Sequence, residues 1–381
     1  MKVVILVTHL LGTGHLARAL TLARAFSMAG HEATVLSGGM PAQQLDSAGI
    51  RLVQLPPLQS DGVNFTRLLD ADGGEAREDL MQRRATRLRD TLQSIAPDVV
   101  ITELFPFGRR VLRTEFLGAV ETAISLPRRP LICASVRDIL APPSKPAKAA
   151  MTEDTITRFY DAVLVHSDAD VTPLEVSWPV TKTLAPYLHY TGFVAPPPAP
   201  PHPDGAGTGE VLVSAGGGNV GSNVFDAALQ AAQQDSGRRW RLLIGGNTAA
   251  DRIVALRQDA PPNAMLEPAR PDFRQMLHHA AVSVSMAGYN TALDLLQTQT
   301  PAVLVPFDAG DETEQSLRAA ALERLPGIEV LTSAALNGQM LLERVQQAIS
   351  APQRAARATG LDGAQNSVRI VQELANKHHA G

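Results

Sequence analysis

Four stretches of this 381-residue chain place residue types at spacings that could do chemistry. In the first, Gly12-Thr13-Gly14-His15 follows an aliphatic run over residues 3–7. A strand that passes through glycine into a helix leaves backbone N–H groups without partners at the positive end of the helix dipole, which suits an anion. His15 there has two roles open to it. It can act as a general base at the carboxyl edge of a sheet, or it can make a local hydrogen bond that only caps the helix; spacing weights the two alike. The glycines fall short of a full dinucleotide-binding fingerprint, because Ala17 stands where the third glycine belongs. In the second stretch, Gly216-Gly217-Gly218-Asn219 closes a strand-like run with a turn whose backbone can approach phosphate or sugar; glycine there can equally serve the turn alone. The third is Met286-Ala287-Gly288-Tyr289-Asn290-Thr291-Ala292-Leu293-Asp294, again strand, glycine turn and helix start. Asp294 falls one turn beyond Asn290, where a carboxylate could hold the hydroxyls of a group attached to the phosphate. In the fourth, Asp308, Asp311, Glu312, Glu314 and Gln315 follow Val305-Pro306-Phe307. Neither interleaved histidine nor EF-hand spacing supports a metal there, so hydroxyl recognition by Glu314 and Gln315 stands against plain dipole-favoured acids at a helix start. Together these stretches suggest a nucleotide-sugar site.

Other candidates carry less. His278 and His279 are neighbours in a helical stretch and diverge rather than chelate. His166-Ser167-Asp168 has the residue types of a nucleophilic triad, but adjacency does not align three side chains, and no G-x-S-x-G elbow is present. The single cysteine, Cys133, excludes a disulfide framework or cysteine-rich metal site and reads as core filler. A formal net charge of −4 speaks against nucleic-acid binding. The N-terminal apolar run is short and lacks a cleavage site, and no run reaches membrane-span length, so a cytoplasmic home is expected.

Periodicity positions these stretches. Residues 3–7, 32–36, 98–102, 131–136 and 162–165 are aliphatic runs of the kind found in a parallel sheet covered on both faces. Leu16, Ala19, Leu20, Leu22, Ala23 and Phe26 mark a helix that stops at Gly30. Residues 58–74 read as loop. Residues 75–95 read as a charged helix whose Arg77, Arg83, Arg84, Arg87 and Arg89 form a solvated face, and 141–146 as a proline-rich loop. Residues 195–209, rich in proline and then glycine, read as an extended linker with a flexible end. The α/β rhythm then restarts. The expected organisation is a Rossmann-like domain over 1–194, the linker 195–209, a second Rossmann-like domain over 210–355, and a helical tail 356–381 that packs back on the first. In this α/β architecture the two domains face each other across a cleft.

Gly12-Thr13-Gly14-His15 with the following Leu-Ala-Arg-Ala-Leu, the turn at 216–218, the block 287–294, and Val305-Pro306-Phe307 with Glu314-Gln315 resemble the GT-B glycosyltransferases of family 28. The resemblance runs through both halves in order, and the second-half block is its most specific part. It implies a GT-B fold and inverting, metal-independent transfer of a sugar from a nucleotide-diphosphate donor, UDP in the type member, to an acceptor hydroxyl. No cofactor is implied beyond the nucleotide-sugar co-substrate. By resemblance Gly288, Tyr289 and Asn290 offer backbone amides to the diphosphate, Gly217 and Gly218 approach it from the other side, Thr291 belongs to the donor site, and Arg270 lies near the segment that meets the nucleobase. Asp294 stands where the family has a longer glutamate for ribose or nucleotide hydroxyls, and Glu314 and Gln315 read the donor sugar. His15, behind the acceptor-side loop Gly12-Thr13-Gly14, is the base. The implied partners are the donor and a glycan, lipid or small-molecule acceptor, with no nucleic acid and with room for peripheral contact at the inner face of a membrane.

The first half departs from the peptidoglycan-assembly type. It lacks the double-glycine run before the histidine and shows no legible basic, hydrophobic membrane patch. Its start is also similar to UDP-sugar hydrolases of nonulosonic acid biosynthesis, where the same histidine activates water, so hydrolysis is the alternative function. The N-terminal pattern looks closest to an uncharacterised bacterial group of predicted glycosyltransferases. A sugar epimerase of the same architecture and a catalytically silent sensor are further readings. Acceptor contacts are expected in the loops 59–74, 105–107 and 137–146.

Overall fold

A computed structural model describes all residues except 11–12, 43–44, 61–66, 217–220, 247, 309–312, 357–359 and 381. The chain forms two units, one from Met1–Val194 with Asp362–Gly381, the other from Ala195–Leu361.

The first unit runs β1 (Lys2–Val7), α1 (Gly14–Met28), β2 (Glu32–Gly39), β3 (Arg51–Leu58), α2 (Glu78–Ile95), β4 (Val99–Glu103), α3 (Arg113–Ile124), β5 (Leu131–Arg137), α4 (Pro146–Phe159), β6 (Ala162–His166) and β7 (Leu188–Tyr190). Its seven strands are all parallel in the order β3-β2-β1-β4-β5-β6-β7. The continuous aliphatic run of β1 follows from its central place. Val4 and Leu6 enter one core with α2 and α3, while Val3, Ile5 and Val7 enter the other with α1. Burying a side chain such as Leu20 or Leu22 of α1 contributes about 1.5–3 kcal/mol. Gly30, at φ 81°, ends that helix in the left-handed conformation glycine tolerates best.

The second unit runs β8 (Val211–Ser214), α5 (Ser222–Gln234), β9 (Trp240–Ile244), α6 (Ala249–Leu256), β10 (Ala264–Pro268), α7 (Phe273–Met276), β11 (Val282–Ser285), α8 (Tyr289–Leu296), β12 (Ala302–Leu304), α9 (Glu314–Leu322), β13 (Ile328–Val330) and α10 (Gly338–Ser350). Its parallel sheet has the order β10-β9-β8-β11-β12-β13. Each sheet therefore reverses direction beside its own first strand, between β1 and β4 and between β8 and β11. Open α/β sheets bind ligands at the carboxyl ends of strands at such points. The final helix, α11 (Gly363–Ala380), returns to the first unit, where Ala364, Val368, Val371 and Ala375 join the core beside α1.

Several expectations are corrected. β3, which no expectation covered, ends where the expected loop begins; it is an edge strand, where Pro56 and Pro57 are tolerated because their missing N–H groups leave no ladder partner stranded. Residues 195–209 belong to the second unit and are strapped to it rather than forming a flexible linker. Proline lacks an N–H but keeps its carbonyl, and Arg274 Nη2 donates to Pro197 O at 2.8 Å, Gln297 Nε2 to Pro196 O at 2.8 Å and His278 Nε2 to Ala199 O at 2.9 Å. The second unit ends at Leu361, not at 355. Arg84 leaves the solvated face of α2. It is fully buried and donates from Nε and Nη2 to Glu115 at 2.7 Å each, and from Nη1 to the carbonyls of Gly38 and Pro56. Phe105 and Phe107 are core rather than acceptor-loop residues. The Phe105 ring stacks on Phe116 at 4.9 Å, and Phe107 meets Trp178 edge-on at 5.2 Å.

Candidate active site

His15 opens α1 directly after the turn from β1, and Glu103 ends β4 on the other side of the switch point. His15 Nδ1 lies 2.8 Å from Glu103 Oε1, and Arg18, one helical turn on, donates to the same carboxylate oxygen. The side chain of His15 is 14% exposed and that of Glu103 1%. Ser135 Oγ of β5 donates to the second carboxylate oxygen, Oε2, at 2.5 Å. An ionised carboxylate only accepts, so the shorter contact to Glu103 places the His15 proton on Nδ1 and the lone pair on Nε2, with Arg18 Nη2 3.1 Å from the same Nδ1. Burial is the largest influence on His15 and, against the pull of Glu103, holds its pKa well below the usual imidazole range. Burial also penalises the charge on Glu103, but Arg18 and the His15 hydrogen bond outweigh it and hold that carboxyl below the usual range. Neutral imidazole beside ionised carboxylate is the state a general base requires.

A second cation stands close by. Arg109 Nε donates to Thr8 O at 2.7 Å, and burial pushes its guanidinium down to about 10, with Glu103 opposing and Arg137 and Arg18 adding to the effect. Thr13 caps α1 through its backbone, Ala17 N donating to Thr13 O at 2.9 Å, and Gly14 has open space where a Cβ would lie. Gly12 lies outside the described residues. Beside them His9, Leu10, Thr13, Met40, Pro41, Gln59 and Ser60 enclose a pocket of about 190 Å³.

The second unit furnishes its switch point differently. Gly288 precedes α8 in extended conformation, φ −65° and ψ 154°, and no side chain caps the helix. The first N–H groups of α8 are left without intrahelical partners, as at any helix start. A Cβ on Gly288 would meet nothing within 4 Å. The turn after β8 abuts the turn after β11. A Cβ on Gly221 would collide with Ala215 Cβ at 2.4 Å and crowd Met286 Sδ at 3.2 Å, so only glycine fits. Gly217 and Gly218 lie outside the described residues, as do Asp311 and Glu312.

Tyr289 and Glu314 are drawn together through a residue that sequence reasoning missed. Buried Arg318 donates from Nη1 to Ala287 O at 2.9 Å and from Nη2 to Glu314 Oε1 at 2.8 Å, with its guanidinium 5.7 Å from the Tyr289 ring centre. It thereby ties the turn before α8 to the first turn of α9. Gln315 Oε1 accepts from Phe307 N at 3.1 Å. Asn290 is exposed and Thr291 half-buried at the start of α8. Arg270 and Asp294 stand apart, each with a partner of its own. Arg270 donates to both carboxylate oxygens of Asp272, at 2.9 and 2.6 Å. Asp294 Oδ1 accepts from Arg274 Nε at 2.7 Å, and burial raises its pKa against the pull of Arg274. No group of three or more metal-ligating side chains converges among the described residues. Cys133 is buried in the core, and burial raises its thiol pKa.

Two signals in the sequence could have found the missed residues. Glu103 follows a buried aliphatic run at the point where such sheets bind ligands, and Arg318 lies four residues after Glu314 on one helix face.

Residues 214–374 match the glycosyltransferase family 28 C-terminal domain. That stretch is what the chain shares with family 28. A curated relative from Brucella anthropi, a UDP-N-acetylglucosamine-N-acetylmuramyl-(pentapeptide) pyrophosphoryl-undecaprenol N-acetylglucosamine transferase, is 30% identical over 173 residues, which are 43% of this chain and 46% of that protein. The chain thus matches about half the length of its curated relatives. Among solved structures, MurG of Acinetobacter baumannii superposes with a TM-score of 0.62 at 15% identity, covering 98% of this chain and 100% of that one. A Listeria monocytogenes structure described as a putative UDP-N-acetylglucosamine 2-epimerase superposes with a TM-score of 0.61 at 12% identity, covering 100% and 97%. At such identities the likeness speaks of fold, and the fold of this chain is GT-B.

Proposed function

We propose that the chain is an inverting glycosyltransferase that moves a sugar from a nucleotide-diphosphate donor, UDP by analogy with the Brucella relative, to an acceptor hydroxyl. The observation that carries this is the His15–Glu103 pair, a neutral imidazole held by an ionised carboxylate at the switch point of the first sheet. In this reading His15 Nε2 removes the acceptor proton as the acceptor oxygen attacks the anomeric carbon. The imidazolium that forms is stabilised by Glu103, and the bond to the nucleoside diphosphate breaks. Amides at the start of α8 stabilise the leaving diphosphate without a metal. Gly288, Tyr289, Asn290 and Thr291 meet the diphosphate with Gly217 and Gly218, and Arg270 stands near the base. Glu314, held by Arg318, and Gln315 read the sugar, and Asp294 contributes a carboxylate to the donor hydroxyls while paired to Arg274.

Among the described residues no helix is long and apolar enough to cross a membrane; the proposed setting is cytoplasmic, with peripheral membrane contact left to the nature of the acceptor. Incubation with a panel of nucleotide-sugars, with and without glycan and lipid extract and with and without EDTA, tests the reading. Nucleoside diphosphate released only with extract, and unaffected by EDTA, supports transfer. Release in buffer alone would replace it with hydrolysis, and an altered sugar without release would replace it with epimerisation.

A further inference from the structure

His166, fully buried at the end of β6, takes no part in the chemistry proposed above, yet it lies on a line of hydrogen bonds that ends at Glu103. The line crosses the carboxyl ends of adjacent strands. Glu103 of β4 is in register with Ser135 of β5, and His166 of β6 is in register with Arg137, two residues beyond Ser135. Ser135 Oγ reaches Glu103 Oε2 at 2.5 Å, His166 Nε2 reaches Ser135 Oγ at 2.9 Å, and His166 Nδ1 reaches Thr191 Oγ1 at 2.9 Å. All four residues are at most 1% exposed.

One arrangement of hydrogens satisfies this line. Ser135 has one hydroxyl hydrogen, and an ionised Glu103 can only accept it. Ser135 Oγ must then accept from His166, so the His166 hydrogen lies on Nε2. Its Nδ1 accepts the hydroxyl hydrogen of Thr191. If Thr191 gave that hydrogen to Gly192 O, 2.7 Å away, or to Val165 O, 3.3 Å away, His166 could keep its bond to Thr191 only by carrying two protons. Full burial and the nearby Arg18 charge oppose an imidazolium there, with Glu103 the weaker counter-influence. Every donor therefore points toward Glu103, which receives hydrogens from Ser135, Arg18 and His15. A fully buried polar chain is usually no more stable than an apolar packing of the same shape, so its orientation toward one carboxylate is the informative feature.

We propose that Ser135 and His166 are positioning residues that fix the ionisation and orientation of Glu103, and through it the Nδ1–H tautomer and basicity of His15. This rests on the reading of His15 as the base. The groups facing His15 are Glu103 from β4, Arg18 from α1 and Arg109 from the turn after β4; those facing His166 are Arg18 and Glu103. Without Ser135, Glu103 loses a donor to its charged form and becomes more basic, and the imidazolium of His15 is better stabilised. The His15 midpoint then rises.

The test is a histidine-ring nitrogen NMR titration of the whole chain, with the His15 signals identified by their loss in His15→Ala. Wild type is expected to show the Nδ1–H tautomer of His15, still neutral at pH 5. In Ser135→Ala and His166→Leu the His15 midpoint rises by roughly one unit, and Ser135→Thr and His166→Gln, which keep a donor, restore it. An unchanged midpoint in both Ser135→Ala and His166→Leu overturns the proposal, as does an Nε2–H tautomer in wild type. The titration needs no substrate, so it stands apart from the activity. In the release assay Ser135→Ala is expected to shift kcat with donor KM unchanged, and absence of release from wild type would overturn the transferase reading while leaving the titration to decide this one.

Discussion

The two sheets share one strand order but equip their switch points by opposite means. At the first, buried side chains do the work: His15, Glu103, Arg18 and Ser135 form a hydrogen-bonded set in which each proton has an assigned place. At the second, the polypeptide backbone is presented. The start of α8 and the glycine turn at Gly221 bring main-chain groups to the edge, and Arg318 braces them from beneath. The difference matches the tasks proposed. A base must hold one proton state, which requires titratable groups in a controlled dielectric. A diphosphate site needs many N–H donors at close range, which backbone supplies at least steric cost.

If that division holds, substitutions at the two edges separate cleanly. The largest effect is expected from His15→Ala, which should lower kcat for nucleoside diphosphate release by about 10³-fold while donor affinity, measured by calorimetry, stays unchanged. A lost donor affinity would place His15 with the donor instead. Next comes Arg318→Met, which leaves Glu314 without its partner and unties Ala287 from α9. A loss of about 3 kcal/mol in denaturant unfolding is expected, with hydrogen exchange rising in the second unit and not in the first.

Acid should distinguish the units as well. His15 and His166 have pKa values far below the ordinary 6.5 in the folded chain. Below pH 6.5 the unfolded chain binds protons that the native one refuses, so stability falls as pH drops. By pH 5 each contributes a loss of about 2 kcal/mol. The depressed pKa of Glu103 adds to this below its usual value of 4.5, because stability from an ionised carboxylate is lost as pH falls. Among the described residues, the five histidines with lowered pKa values, His9, His15, His31, His166 and His189, lie in the first unit. Hydrogen exchange between pH 7 and 5 should therefore loosen the first unit ahead of the second, and simultaneous loosening would refute the assignment. The smallest effect concerns Gly288→Ala. The open space at its Cβ predicts an unchanged Tm, while a methyl over the start of α8 should raise donor KM about tenfold, near 1.4 kcal/mol.

Much of this was legible from residue order. The aliphatic runs predicted most strands, because a central parallel strand must be apolar on both faces, and the glycine-to-helix transitions located both switch points. Long-range pairing was not legible. Glu103 is 88 residues from His15, and nothing local shows that the turn after β1 and the end of β4 are neighbours. Arg84 looked like part of a solvated face because a charged helix conceals one inward arginine, whose partner Glu115 lies on another helix. The proline-rich segment looked flexible because its own sequence has few donors; the N–H groups that hold it come from Arg274, Gln297 and His278. Asp294 was placed on the right helix, but its pairing with Arg274 depends on α7, which periodicity does not relate to it.

The central claim is that His15 is a base kept neutral by burial and oriented by Glu103. It is tested most directly by the pH dependence of kcat/KM for nucleoside diphosphate release between pH 8 and 5. The account predicts a rate that stays level through pH 6.5 while the protein remains folded. A rate that falls with a midpoint near 6.5 would mean an ordinary, solvated histidine and would contradict it.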